Sequence, residues 1–348
     1  LAHAVVEPFL LGQAELAPGF VQAGESLVRC QDGLSHRIGQ RARVAAELED
    51  VAELRHGFRS LIEVYPALAD ADPEKFGLCV VASDGRVFDE GDAFAGFAMM
   101  SVAKPFTFAL VCAHIGAQRA RDELGVNATG QAFNAVDPVL AASGGRTNPM
   151  VNAGAIATCS RLPGNGLEGR WAHLLTGLSA FAGRELAIDS ALYESVSATN
   201  FRNREITAAL HGQGALASAP EVALELYSRQ SSLLVTAHDL AMMGATLADG
   251  GRNPVTGAQV IPSALCHHVL AVMATAGMYE RSGEWLYDVG LPGKSGIGGG
   301  IVTVSPGKGG LGSFSPRLDE AGNSVRGVQA AARLASELGL GLFASRPV

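Results

Sequence analysis

Lysine is scarce in this chain: Lys75, Lys104, Lys294 and Lys308 are the four lysines among 26 basic residues, and the arginines never gather into a run. With no basic stretch and a formal charge of -8, the electrostatic footprint of a nucleic-acid binder is missing. The five cysteines (Cys30, Cys79, Cys112, Cys159 and Cys266) are far apart and form no C-x-x-C pair. That argues against a disulfide framework or a zinc ribbon and points to a reducing cytoplasm. No H-E-x-x-H occurs among the nine histidines, and the neighbours His267 and His268 are expected on different faces of a helix, so no metal site is expected. The apolar stretch from Pro105 to Ala117 is too short to cross a bilayer, and no basic segment followed by an apolar core opens the chain, so no membrane span is expected. What is abundant is apolar: 48% of the residues are hydrophobic and 17% charged, enough for a large core built as two lobes. A small molecule is the expected partner.

The patterning divides the chain. Residues 1–45 read as a helical extension of unknown role, and Val44, Leu48, Val51, Leu54 and Phe58 continue at helical spacing. Gly77-Leu-Cys-Val-Val-Ala, the turn Ser83-Asp-Gly-Arg and Val87-Phe88 form a β-hairpin. Residues 106–285 are rich in Ala and Leu at helical spacing and read as a helical lobe. β character returns in Gly300-Ile-Val-Thr-Val, turns at Ser305-Pro-Gly-Lys-Gly-Gly, resumes at Leu311-Gly-Ser-Phe, and gives way to a helix from about Val325 to Leu338. Segments 46–105 and 286–348 therefore make a sheet lobe around a helical insertion. The 43 glycines predict many tight turns and close backbone approaches.

Glycine-rich nucleotide motifs fail on context. Gly307-Lys-Gly-Gly-Leu-Gly312 matches G-x-G-x-x-G but lies between two strands and opens no helix, and Gly293-Lys294-Ser295 lacks the first P-loop glycine, where Asp288 stands. No G-x-S-x-G elbow supports a Ser-His-Asp site. Ser101-Val-Ala-Lys104 does offer chemistry: residues i and i+3 of a helical turn share a face, so a hydroxyl and an amine can meet beside free N–H groups. Lys104 can accept the serine proton only when neutral, which requires burial or a nearby cation such as Lys294. Lys294-Ser295-Gly296 follows downstream, as K-T-G follows S-x-x-K in penicillin-binding proteins and class A β-lactamases, but no S-D-N element is present.

The residues around these motifs narrow the choice. Gly130-Gln-Ala-Phe-Asn134, Arg146-Thr-Asn-Pro-Met-Val-Asn-Ala-Gly-Ala-Ile156, Gly277-Met-Tyr279, Gly290-Leu-Pro-Gly-Lys-Ser-Gly-Ile-Gly-Gly-Gly300 and Leu318-Asp-Glu-Ala-Gly-Asn-Ser-Val-Arg326 together resemble the serine-dependent glutaminase family, from about Pro66 to Leu340. The resemblance implies an α/β (α+β) fold of the serine β-lactamase/DD-peptidase type, with an antiparallel sheet, flanking helices and a helical lobe. It implies hydrolysis of L-glutamine to L-glutamate and ammonia without metal or cofactor, and a homodimer or homotetramer. By position, Ser101 is the nucleophile and Lys104 its base, the N–H groups of Ser101 and Ile297 form the oxyanion hole, and Tyr279 relays a proton. Tyr227 is a second active-site tyrosine, and Asn134 and Asn203 hold the substrate.

Several positions depart from the family pattern. Val64 stands where the family has a pocket tyrosine, Met100 and Ala103 replace a Gln and a Ser, and Val196 stands where a glutamate contacts the substrate's α-ammonium. Losing one member of such a charge pair costs about 2 to 5 kcal/mol, unless a register shift brings in Glu194. Pro105 disfavours helical backbone at Lys104 and tilts the lysine away from Ser101, unless the helix starts at or after Lys104. Two other readings fit these residues: an amidase of the same fold acting on another small amide, and a non-catalytic glutaminase-like protein.

Overall fold

A computed structural model describes residues 65–69 and 71–345; the extension 1–45, the helical spacing from Val44 to Phe58, and Val64 lie outside them. The strands in chain order are β1 (Gly77–Ala82), β2 (Val87–Gly91), β3 (Phe97–Ala98), β4 (Ala187–Ile188), β5 (Leu233–Val235), β6 (Gly293–Ser295), β7 (Gly300–Ser305) and β8 (Gly309–Phe314). The helices are α1 (Lys104–Ile115), α2 (Ala117–Leu124), α3 (Asp137–Ala141), α4 (Asn152–Cys159), α5 (Gly166–Ala182), α6 (Ser190–Thr199), α7 (Phe201–Gly212), α8 (Pro220–Ser231), α9 (Ala237–Ala248), α10 (Ser263–Ala276), α11 (Ser282–Asp288) and α12 (Val325–Leu338).

Both expected hairpins form, β1 with β2 and β7 with β8, and they join in one antiparallel sheet of order β2-β1-β8-β7-β6. Every residue of β1, β7 and β8 is buried, because successive side chains enter two different cores. Leu78 and Val80 pack with Trp285, Ile301, Leu311, Ala330 and Leu334 on the α11/α12 face. Cys79 and Val81 pack with Ala241, Met242 and Ala245 of α9 on the other. Glycine permits that second layer: a Cβ at Gly310 would lie 2.2 Å from the Ala245 nitrogen, and one at Gly312 would lie 2.0 Å from the Ala237 carbonyl oxygen. Helix α9 thus sits directly on the backbone of β8, although its residues fall inside the 106–285 segment.

A second small sheet, β3-β5-β4, ties residues 97–98 to 187–188 and 233–235, and a large core of helices α1, α4, α5, α8, α9 and α10 surrounds it. The nucleophile segment leaves β3 and enters α1 at the meeting of this core with the five-stranded sheet. Cys79, Cys112, Cys159 and Cys266 are buried free thiols. The rings of His267 and His268, expected on different faces, lie 3.7 Å apart between centroids; the flexible χ angles of adjacent residues overcome the 100° offset of their Cα–Cβ bonds. Among the described residues no single helix is long and apolar enough to cross a membrane.

Candidate active site

Ser101 lies in a 3₁₀ turn, Met100–Ala103, and the Lys104 N–H closes that turn on the Ser101 carbonyl. With three residues per turn, side chains at i and i+3 eclipse, so the serine and lysine share one face. Helix α1 starts at Lys104 and Pro105 falls in its first turn, where a missing N–H costs nothing. Lys104 is itself helical (φ -54°, ψ -50°), so the expected disfavour of α backbone before proline is overridden and the two residues stay on one turn. The strain sits one residue earlier: Met100 (φ 47°) and Tyr279 (φ 56°) are the two non-glycine residues with left-handed backbone among the described residues, and both flank Ser101. Such outliers persist where the surroundings over-determine them.

Lys104 is 1% exposed, and its Nζ donates to Asn152 Oδ1 at 2.7 Å and the Met150 carbonyl at 3.3 Å. A neutral amine has two N–H bonds, so these acceptors use both and leave its lone pair free. Burial lowers the Lys104 pKa to about 7. The expected helper, Lys294, is not the cause: it is fully buried and its own pKa is pushed well down by burial and by Lys104. Its Nζ donates to the Ser295 carbonyl at 2.5 Å and stands 4.2 Å from the Tyr279 ring centroid.

Ser101 stands near enough to Tyr227 and Tyr279 to pull both phenol pKa values down against burial. Tyr227 donates its proton to Asn152 Oδ1 at 3.0 Å and Tyr279 donates to the Ser295 carbonyl at 3.1 Å. Burial raises both phenol pKa values. A chain of buried amides continues from the dyad: Asn152 Nδ2 donates to Asn203 Oδ1 at 2.9 Å, Asn203 Nδ2 to Asn200 Oδ1 at 2.5 Å, and Asn200 Nδ2 to Ser228 Oγ at 2.9 Å. Each amide's orientation is fixed by the next. Asn152 is the residue that joins Lys104 to Tyr227; it lies inside the Asn-Pro-Met-Val-Asn run, which was the one signal for it.

Opposite the serine, the turn after β6 closes on the nucleophile segment. A Cβ at Gly298 would sit 2.2 Å from the Ala98 carbonyl oxygen, and one at Gly296 would sit 2.9 Å from Val102 Cγ2, so these glycines allow the approach that brings Ile297 to the cleft. The Ile297 N–H has no hydrogen-bond partner among the described residues, as an oxyanion donor requires. The cleft holds about 520 Å³ and is lined by Ser101, Asn134, Asn152, Asn203, Tyr227 and Ile297, among others.

Two expectations change at its wall. Tyr65, 8% exposed, lines the cleft, and its hydroxyl accepts from Asn203 Nδ2 at 3.4 Å; the pocket therefore keeps a tyrosine, one position after Val64. Val196, 2% exposed, packs with Leu192, Met100 and Tyr65 and does not line the cleft. Nor does a register shift occur: α6 runs unbroken from Ser190 to Thr199 and leaves Glu194 exposed.

The family model for glutaminases matches residues 60–343. Glutaminase 2 of Yersinia pestis is 57% identical over 284 residues, 82% of this chain and 84% of that protein. A glutaminase of Brucella canis is 46% identical over 281 residues, 81% of this chain and 89% of its own. A solved structure described as probable glutaminase ybaS superposes with a TM-score of 0.82 at 38% identity, covering 90% of this chain and 98% of that one. A Bacillus glutaminase structure reaches 0.75 at 33% identity, with 81% and 97% covered. The antiparallel sheet and its helices are thus the β-lactamase-like fold of these enzymes. A chain so similar over most of its length, with the serine and lysine aligned on one turn, belongs to the glutaminase family.

Proposed function

We propose that this protein hydrolyses L-glutamine to L-glutamate and ammonia through an acyl-enzyme on Ser101. One observation carries the reading: a serine hydroxyl facing a cleft lies one 3₁₀ turn from a buried lysine whose pKa falls to about 7. Ser101 Oγ attacks the side-chain amide carbon while its proton passes to the Lys104 lone pair. The developing oxyanion is held by the N–H groups of Ser101 and Ile297. Lys104 hands that proton on, relayed by the Tyr279 hydroxyl, to the departing nitrogen, and ammonia leaves as the C–N bond breaks. Water then attacks the ester carbon and loses a proton to Lys104, which passes it to the Ser101 oxygen as the C–O bond breaks, and L-glutamate is released. Tyr227 and Asn152 orient the dyad, and Asn134 and Asn203 hold the substrate's polar head. The reaction needs no metal or organic cofactor.

Hydroxylamine tests the intermediate. It competes with water for the acyl group, so γ-glutamyl hydroxamate is expected to form at the expense of glutamate, while ammonia release is undiminished. Hydrolysis without hydroxamate at any hydroxylamine concentration speaks against an acyl-enzyme.

A second reading, an amidase for a small amide lacking the α-amino group, is favoured by the apolar burial of Val196 and the exposure of Glu194. Glutaramate turnover exceeding that of glutamine selects it. We place the protein in the cytoplasm, supported by four buried free thiols among the described residues, and assign it a homodimer or homotetramer from the family resemblance.

A further inference from the structure

Glutamine is a zwitterion, and its cationic α-ammonium needs an anionic partner in the cleft. We infer that Glu280 is the specificity-determining carboxylate that receives it; the inference rests on the glutamine reading above. Among the described residues two carboxylates line the cleft, Glu280 and Glu320. Glu280 directly follows Tyr279, whose phenol pKa is held down by the nearby Ser101. Its Oε1 accepts the Phe133 backbone N–H at 3.2 Å, and the Phe133 ring lies tilted against Tyr279 with centroids 4.5 Å apart. The carboxylate is therefore held between the tyrosine at the nucleophile and the loop that carries Asn134.

Glu280 also has no cationic partner of its own among the described residues. Arg281 is drawn instead to Glu284 and Asp319 at 3.8 and 3.7 Å, and Arg202 binds Glu205 and the Asn134 carbonyl. The charge of Glu280 reaches the reacting groups, since it contributes to holding up the pKa of both Tyr279 and Lys294. Glu320 acts on neither. A substrate ammonium in this cleft meets a carboxylate that no arginine or lysine pairs with among the described residues.

The test compares ligands that differ only in the α-amino group. Wild type, Glu280→Gln, Glu320→Gln and, as control, Glu194→Gln are assayed with L-glutamine, and L-glutamate and glutarate are measured as competitive inhibitors. Because Glu280 is solvent-exposed, water screens the pair, and its loss is expected to raise KM for glutamine and Ki for L-glutamate about 3- to 5-fold. The kcat and the Ki for glutarate stay within about twofold, as do all constants of Glu194→Gln. Equal loss for both inhibitors, or no loss, overturns the assignment, as does selective loss in Glu320→Gln alone. A wild type that releases no ammonia from glutamine refutes the glutaminase reading instead. Calorimetric binding of L-glutamate and glutarate to the same variants then decides on Glu280 independently.

Discussion

Replacing Ser101 by alanine is expected to lower ammonia release from L-glutamine by about 10⁴-fold or more, the scale on which removing the nucleophile acts in serine hydrolases. No neighbouring group can take over. The nearest hydroxyls, Tyr227 and Tyr279, are buried phenols with raised pKa values, and their own protons are committed to Asn152 and the Ser295 carbonyl. Those same commitments predict an intact fold: both tyrosines keep a partner when the serine hydroxyl goes, so the stability cost is about 1 kcal/mol. Ammonia release measured beside a thermal melt separates the two effects. A variant that melts like wild type yet retains more than about a hundredth of its activity would show that another group carries the chemistry.

The second large effect belongs to Lys104. As general base it works in its neutral form, so with a pKa of about 7 the log of kcat/KM is expected to rise with unit slope below that pH and level off above it. Lys104→Met removes the base and is expected to cost about 10²- to 10⁴-fold, and the inflection near pH 7 disappears. Lys104→Arg gives no rescue, because a guanidinium stays charged at any working pH. Stability carries the same signature. The folded pKa lies below the unfolded value of about 10.4, so between about pH 7 and 10.4 the unfolded state binds more protons and stability rises with pH. Below pH 7 both states are protonated and this dependence ends. Lys104→Met removes its share of that rise and keeps the share of Lys294, whose pKa burial also lowers, so denaturant titrations at pH 7 and pH 9 show a smaller rise. A pH profile unchanged by Lys104→Met would remove the lysine from the base role.

The elements that were legible in the sequence are those whose signal is local. The hairpin of β1 and β2 has a turn between apolar runs, α12 has periodicity over fourteen residues, and Ser101-x-x-Lys104 lies within one turn. The small sheet was not legible, because β3, β4 and β5 contribute two or three residues each from segments far apart in the chain, too short for any alternation to register. Asn152 gave no chemical hint, since a lone asparagine in a loop reads as a cap; only the distance to Lys104 Nζ gives it a role. Tyr65 was displaced by one residue from its expected position, and strand-like or irregular segments turn such a shift into a different side-chain direction. Pro105 meets the exception stated for it: the helix starts at Lys104, so the proline falls in its first turn.

The scarcity of lysine has a practical side once burial is known. Lys104 and Lys294 are sealed at 1% and 0% exposure, while Lys75 and Lys308 are exposed and do not line the cleft. Amine-seeking cross-linkers, dyes and activated resins therefore find handles at Lys75, ahead of β1, and Lys308, in the turn from β7 to β8. A support coupled through these two positions holds the protein beside its sheet, through residues outside the cleft lining.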